Sequence, residues 1–274
     1  MRKDPPASVL CGTRSLIQSC TRPQENEGRF ITTLVILVDY DNVEQRHKAA
    51  GPLALARMLA STVPEDVAAR HNAFLVRLYG GWRARGSLTQ LAQKLVPEIR
   101  RDSPCIIKIS HTGSLYQYKL TVELADGPIG TSISLQETLA RERGLRKFRS
   151  KIGAPSECAS QSTCGMSQYF GLSQATACSV ATCSRILGDV LVRDEQKMVD
   201  TLIVADIAAN AIASKASDVV VVSSDIDMWP GVLLALGSGC GVTHIHTKAG
   251  WRTQGHLIGT LGSHLGKKYR QLAV

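Results

Sequence analysis

The sequence predicts an α/β protein of three layers, a parallel sheet covered by helices, with a cysteine-containing subdomain inserted into it. Three observations predict this. Leu34–Val38 is continuously apolar and mostly β-branched, too short for a globular helix, and reads as a buried central strand. A second run, Asp218–Ser224, is Val-rich in the same way. Between and around such runs lie helical stretches in β-α-β-α order, the pattern of parallel strands joined by crossover helices.

Taken in order, residues 1–29 mix Pro, Ser, Gly, Gln and charge and read as a flexible lead-in. The segment from Ser8 to Cys20 is the part of it that could pack as an extra element. The first half of the main domain is expected over 30–100. Its key strand ends Asp39-Tyr40-Asp41-Asn42-Val43, with carboxylates and an amide where open α/β sheets place their sites. Pro52–Ser61 reads as a helix with Pro in its first turn. Asn72–Tyr79 is the second strand, and Gly80-Gly81-Trp82 leaves it in a turn. A second helix is expected from Ser87 to Glu98. Arg77, Arg83 and Arg85 surround the end of the second strand and are candidate contacts for an anionic substrate. Trp82 either stacks on a base or covers the sheet edge.

Residues 101–189 read as an insertion. Cys105–Ser110 and Tyr116–Leu124 are short strands, Asp126-Gly127-Pro128 a turn, and Leu135–Arg149 a helix. Arg141–Lys151 holds six basic residues against one acidic. Within it Arg146, Lys147 and Arg149 are candidate phosphate contacts. Cys158, Cys164, Cys178 and Cys183 follow at C-x5-C, thirteen residues, then C-x4-C. Structural zinc prefers C-x2-to-4-C, which only the second pair fits, so a Zn site and unliganded thiols both stay open.

The second half is expected over 190–250. Asp194–Ala213 carries Val199, Ile203, Ile207 and Ile212 near helical spacing and reads as one long helix. Asp200 and Asp206 are six residues apart, about 600° of helix, and so cannot share a face. Asp218–Ser224 then ends in Asp225-Ile226-Asp227 before a helix at Met228–Leu236. Gly241–Thr247 is one more strand, with His244 and His246 on one face. The tail, 251–274, is basic at Lys267-Lys268-Tyr269-Arg270 and is expected to lie as a helix or loop against the sheet.

Asp39, Asp200, Asp225 and Asp227, with Asn42, can converge at one sheet edge. Packed carboxylates repel unless a cation neutralises them, and Mg²⁺ or Mn²⁺ would do so. Such an ion could also deliver an activated water to a phosphodiester. The net charge of +9 favours a polyanionic partner, nucleic acid before membrane. No run of 18 apolar residues and no secretion signal occurs, so a cytoplasmic chain with reduced thiols is expected. The sequence holds no dinucleotide glycine fingerprint, phosphate-binding P-loop or nucleophile elbow.

Three blocks resemble the NYN branch of the PIN-like nuclease superfamily: Leu37-Val-Asp39-Tyr-Asp41-Asn42, Lys197-Met-Val-Asp200 with the apolar helix behind it, and Val222-Ser-Ser-Asp225-Ile-Asp227. Ser224 and Met228 stand where that family has Gly and Phe. The resemblance covers roughly 31–100 and 190–248. It implies a PIN-like fold and a metal-dependent endoribonuclease. Asp39, Asp200, Asp225 and Asp227 would hold Mg or Mn, and Asn42 would position Asp39 or the substrate. RNA is the implied partner, with DNA also open, and a homodimer is left open, the sequence giving no dimer signature. Two other readings remain. One is a catalytically inactive RNA-binding PIN-like module. The other is a haloacid-dehalogenase-like phosphatase with Asp39 as nucleophile and Asp41 as acid/base.

Overall fold

Successive side chains of a strand point to opposite faces, so a strand apolar at every position needs cover on both sides. Strand β1 (Thr33–Asp39) is such a strand. Leu34, Ile36 and Val38 enter one apolar cluster, and Val35 and Leu37 enter another. At about 2 kcal/mol per buried aliphatic side chain, these five supply on the order of 10 kcal/mol of gross hydrophobic gain.

The computed structural model describes residues 32–143, 176–177, 179, 182–186, 192–196, 198–213, 216–248 and 250–274. The lead-in 1–29, Arg146, Lys147, Arg149, Cys158, Cys164, Cys178 and Lys197 lie outside the described residues. After β1 come α1 (Gln45–Lys48), α2 (Pro52–Thr62), α3 (Glu65–Ala68) and β2 (Ala73–Tyr79). A small hairpin, β3 (Arg83–Ala84) and β4 (Ser87–Leu88), leads to α4 (Gln90–Asp102). Next are β5 (Cys105–His111), β6 (Ser114–Leu124), β7 (Leu139–Arg143) and β8 (Val192–Gln196). Helix α5 (Val199–Ala208) runs into a π-helical turn at Ala209–Ala213. The chain ends with β9 (Asp218–Val222), α6 (Trp229–Gly237), β10 (Gly241–His246), α7 (Gly255–Gly259), α8 (Gly262–Gly266) and β11 (Tyr269–Ala273).

Among the described residues, seven strands form the main sheet in the order β11-β10-β9-β1-β2-β6-β5. All neighbours pair parallel except β5, which runs antiparallel to β6. Helices α2 and α4 pack Leu55, Leu59, Ala92 and Leu95 on one face. Helices α5 and α6 pack Ile203, Ile207, Val232 and Leu236 on the other. The result is a mixed α/β domain of general Rossmannoid topology. Its parallel strands, read from β6, follow the doubly wound order in which the direction of winding reverses between β1 and β9. Ligands of such sheets bind at that reversal, outside the carboxyl ends of the strands. No helix among the described residues is long and apolar enough to cross a membrane.

Several expectations need correction. Strands β5 and β6 belong to the main sheet and not to an inserted unit, because β6 finds its partner in β2 from Ala73↔Lys119 to Leu78↔Leu124. The expected helix at Leu135–Arg149 is, in its described part, irregular over 135–138 and then strand β7 (Leu139–Arg143), paired antiparallel with β8 from Leu139↔Gln196 to Arg143↔Val192. A distant partner overrides local propensity there. The same pairing takes Asp194–Gln196 out of the long helix expected at Asp194–Ala213. Met198 then turns the chain in a left-handed conformation (φ 63°), and α5 starts at Val199. The tail forms two short helices and the edge strand β11.

Candidate functional site

Register brings the first two site residues together. Val38 pairs with Val222, so Asp39 and Ser223 leave the sheet side by side. Asp39 shares the face of Val35 and Leu37, towards α5, and is only 1% exposed. Its carboxylate accepts a hydrogen bond from Ser223 Oγ at 2.9 Å and another from the side-chain amide of Asn42. The turn after β1 supports this: the Asn42 backbone N–H donates to the Asp39 carbonyl at 3.2 Å. Asn42 Oδ1 in turn accepts from Lys248 Nζ at 2.9 Å, and its carbonyl accepts from Thr247 Oγ1 at 3.1 Å. The ends of β1, β9 and β10 are thereby stitched into one network.

The other acids gather around it. The Asp225 backbone N–H donates to Ser223 Oγ at 3.0 Å, and Asp225 Oδ1 caps the short turn Ile226–Met228 by accepting from the Asp227 N–H at 3.1 Å. Asp227 itself is exposed. Asp200, half-buried in the first turn of α5, is pushed up to about 6, by burial first and then by Asp39, Asp225, Asp227 and Asp41. Asp39, Asp225 and Asp227 thus lie within electrostatic reach of Asp200.

Reach is not coordination. Mg²⁺ requires oxygens at about 2.0–2.1 Å, so its ligands must converge on one point. Among the described residues, no three His, Cys, Asp or Glu side chains form a group that could hold a metal ion. The carboxylates present are held by protein donors: Asp39 Oδ2 accepts from Ser223 and Asn42, and Asp225 Oδ1 caps its own turn. Lysines supply countercharge instead. Lys48 donates to the Tyr40 carbonyl at 3.0 Å and faces Asp41 and Asp39, while burial pushes its ammonium down. The expected Mg- or Mn-dependent hydrolase centre, and the ribonuclease activity built on it, are therefore corrected: this donor set does not fit the ion. The expected zinc site falls, for three of its four cysteines, outside the described residues. The fourth, Cys183, is a free thiol.

The basic candidates divide. Arg77 is buried and spends its guanidinium internally, on the Gly127 carbonyl at 2.7 Å, Glu123 at 3.1 Å and Asp206 at 3.5 Å. Gly127 is required there, since a Cβ at that position would strike the Ile133 carbonyl. Asp206 is fully buried and also accepts from Tyr79 Oη at 2.6 Å and the Ile129 N–H at 2.8 Å. It is the centre of an internal network between α5 and the sheet. Arg83 is paired with Asp126 at 2.7 Å. Arg85 is exposed and lines a groove beside Asp41. Trp82 is fully buried, its indole N–H donating to the Leu78 carbonyl at 2.7 Å, so it covers the sheet edge.

A cleft of about 560 Å³ opens next to the aspartates, lined among others by Ser224, Trp229, His246, Lys248, Trp251 and Arg252. In its wall, the rings of His244 and His246 lie 4.4 Å apart between centroids, tilted by 30°. His244 Nε2 contacts the Ser223 carbonyl at 2.9 Å, and Thr253 Oγ1 lies within 3.3 Å of His244 and 3.2 Å of His246. Burial pushes both imidazoles down, His244 to about 4, so both are neutral at physiological pH. The sequence reading missed Lys48, Lys248 and Thr253. Lys248 carried one usable signal, a polar residue two positions past the end of a buried strand.

Fold and crevice define a doubly wound, mostly parallel α/β domain with acids and lysines interleaved at its switch point. The chain matches no protein-family model, no curated protein and no solved structure.

Proposed function

We propose that this chain is an RNA-binding module of PIN-like, NYN-type architecture that holds RNA without metal-dependent cleavage. One observation carries the reading. At the carboxyl ends of β1, β9 and β10, protein donors bond the Asp39 carboxylate, while the adjoining cleft offers Lys248, Arg252 and Trp251. Cations beside an exposed aromatic ring suit a phosphate backbone with unstacked bases. The chain's net charge of +9 acts in the same direction over a longer range. The described parts of the three sequence blocks that resemble NYN domains fall on this edge: Asp39–Asn42 at the end of β1, Asp200 at the start of α5, and Ser223–Asp227 after β9. The phosphatase reading has less support, because its nucleophile, Asp39, is enclosed at 1% exposure.

The test is fluorescence anisotropy with labelled single-stranded RNA and DNA, in EDTA and again in Mn²⁺, followed by a gel for strand integrity. RNA is expected to bind equally well in both buffers, to stay intact, and to bind less tightly as salt rises. Absence of RNA binding at low salt would overturn the proposal. So would Mn²⁺-dependent cutting that Asp225→Asn abolishes.

A further inference from the structure

Two side chains lining the cleft each carry a buried polar atom with no hydrogen-bond partner among the described residues: Ser224 Oγ and His246 Nδ1. The residues are 7% and 3% exposed. Folded proteins pair such atoms almost everywhere, so orphans that line a cleft mark places for a ligand to bond. His246 is held from its other nitrogen by Thr253 Oγ1 at 3.2 Å. Its neutral ring can present Nδ1 as donor or acceptor, according to the tautomer.

The mouth of the cleft differs in character. Trp251 leaves 51% of its surface exposed, with Lys248 Nζ standing 5.0 Å from its ring centroid. Arg252 is exposed beside it. Asp225 lines the same space. A cleft of about 560 Å³ is within the size range of small-ligand sites.

We infer that this cleft is a nucleotide subsite, taking one unit of a single-stranded RNA. The base stacks on Trp251, and the phosphate lies on Lys248 and Arg252. Ser224 Oγ and His246 Nδ1 bond the ribose hydroxyl or base edge, and Asp225 accepts from a base amino group. The inference rests on the RNA-binding reading and adds to it a place and a ligand chemistry. A free mononucleotide carries the same groups, so the test separates the two sources.

The probes are a short labelled single-stranded RNA, read by anisotropy, and AMP, read by calorimetry, each with the full chain. Trp251→Ala and Arg252→Ala alter exposed side chains, and thermal melts will verify their folding. Arg100→Ala, on the exposed end of α4, is the control. Trp251→Ala is expected to weaken RNA binding at least roughly tenfold. Arg252→Ala is expected to weaken it while lowering the slope of log affinity against log salt by about one. Ser224→Ala is expected to weaken it several-fold, and Arg100→Ala to leave it unchanged. If wild type binds RNA and Trp251→Ala binds it equally well, this inference falls and the RNA-binding reading stands. If wild type binds AMP but not RNA, and Trp251→Ala loses AMP, the nucleotide site stands and the RNA reading falls. If wild type binds neither, both fall.

Discussion

Ser223 Oγ donates a 2.9 Å hydrogen bond to Asp39 Oδ2, joining residues 184 positions apart in the chain. The same hydroxyl accepts the Asp225 N–H at 3.0 Å. One small side chain therefore holds the end of β1 to the loop after β9. It also removes part of the Asp39 carboxylate from any other use.

Ser223→Ala deletes a donor to a nearly fully buried carboxylate and leaves the Asp225 N–H without its acceptor. The expected cost is about 1–3 kcal/mol, a fall in Tm on the order of 5 °C for a domain of this size. Thermal denaturation followed by circular dichroism measures it. A melt indistinguishable from wild type would show that the contact does not contribute.

Arg77→Met is expected to be more severe. It leaves Asp206, fully buried, with its charge opposed, among the described residues, only by the Tyr79 hydroxyl and the Ile129 amide. Breaking a buried pair from one side costs about 3–5 kcal/mol, mostly through the uncompensated charge. Adding Asp206→Asn to Arg77→Met should recover part of that loss. Urea denaturation of both variants checks the pair, and a double variant no more stable than the single one would contradict this account.

Asp200 makes a pH prediction. Its folded pKa of about 6 lies above its ordinary value of 3.8, so the folded state holds the proton more tightly than the unfolded chain does. The stability it contributes is full below about pH 4 and is lost as pH rises through about 6. Asp200→Asn removes the charge. The variant should therefore melt higher than wild type at about pH 7.5, by about 1–3 °C after solvent screening of a half-exposed group, and equally with it near pH 4. His244, pushed down to about 4, titrates with the opposite sign but in both proteins, so it cancels in the difference. A gap that widened on acidification would overturn the assignment of Asp200 to the acidic edge.

Much of the frame was legible in the sequence. Leu34–Val38 and Val219–Val222 announced themselves as buried strands because a strand covered on both faces must be apolar at every position. Helix α2 was legible from Pro52 and its apolar spacing, and the polar exits of β1 and β9 marked the sheet edge where the acids meet. These are local signals, written within one element. Tertiary structure decided what depends on distant partners. Strand β7 exists because β8 pairs with it, and β6 joins the sheet because β2 offers an edge. Arg77, on strand β2, turned inward because Asp206 arrives from helix α5. The chemistry of the edge was decided in the same way. The strand exits and the resemblance to NYN domains named four aspartates, but metal binding requires their oxygens to converge on one point. Ser223, Asn42 and Lys248, brought in by the register of three strands, bond the Asp39 carboxylate and its amide neighbour instead.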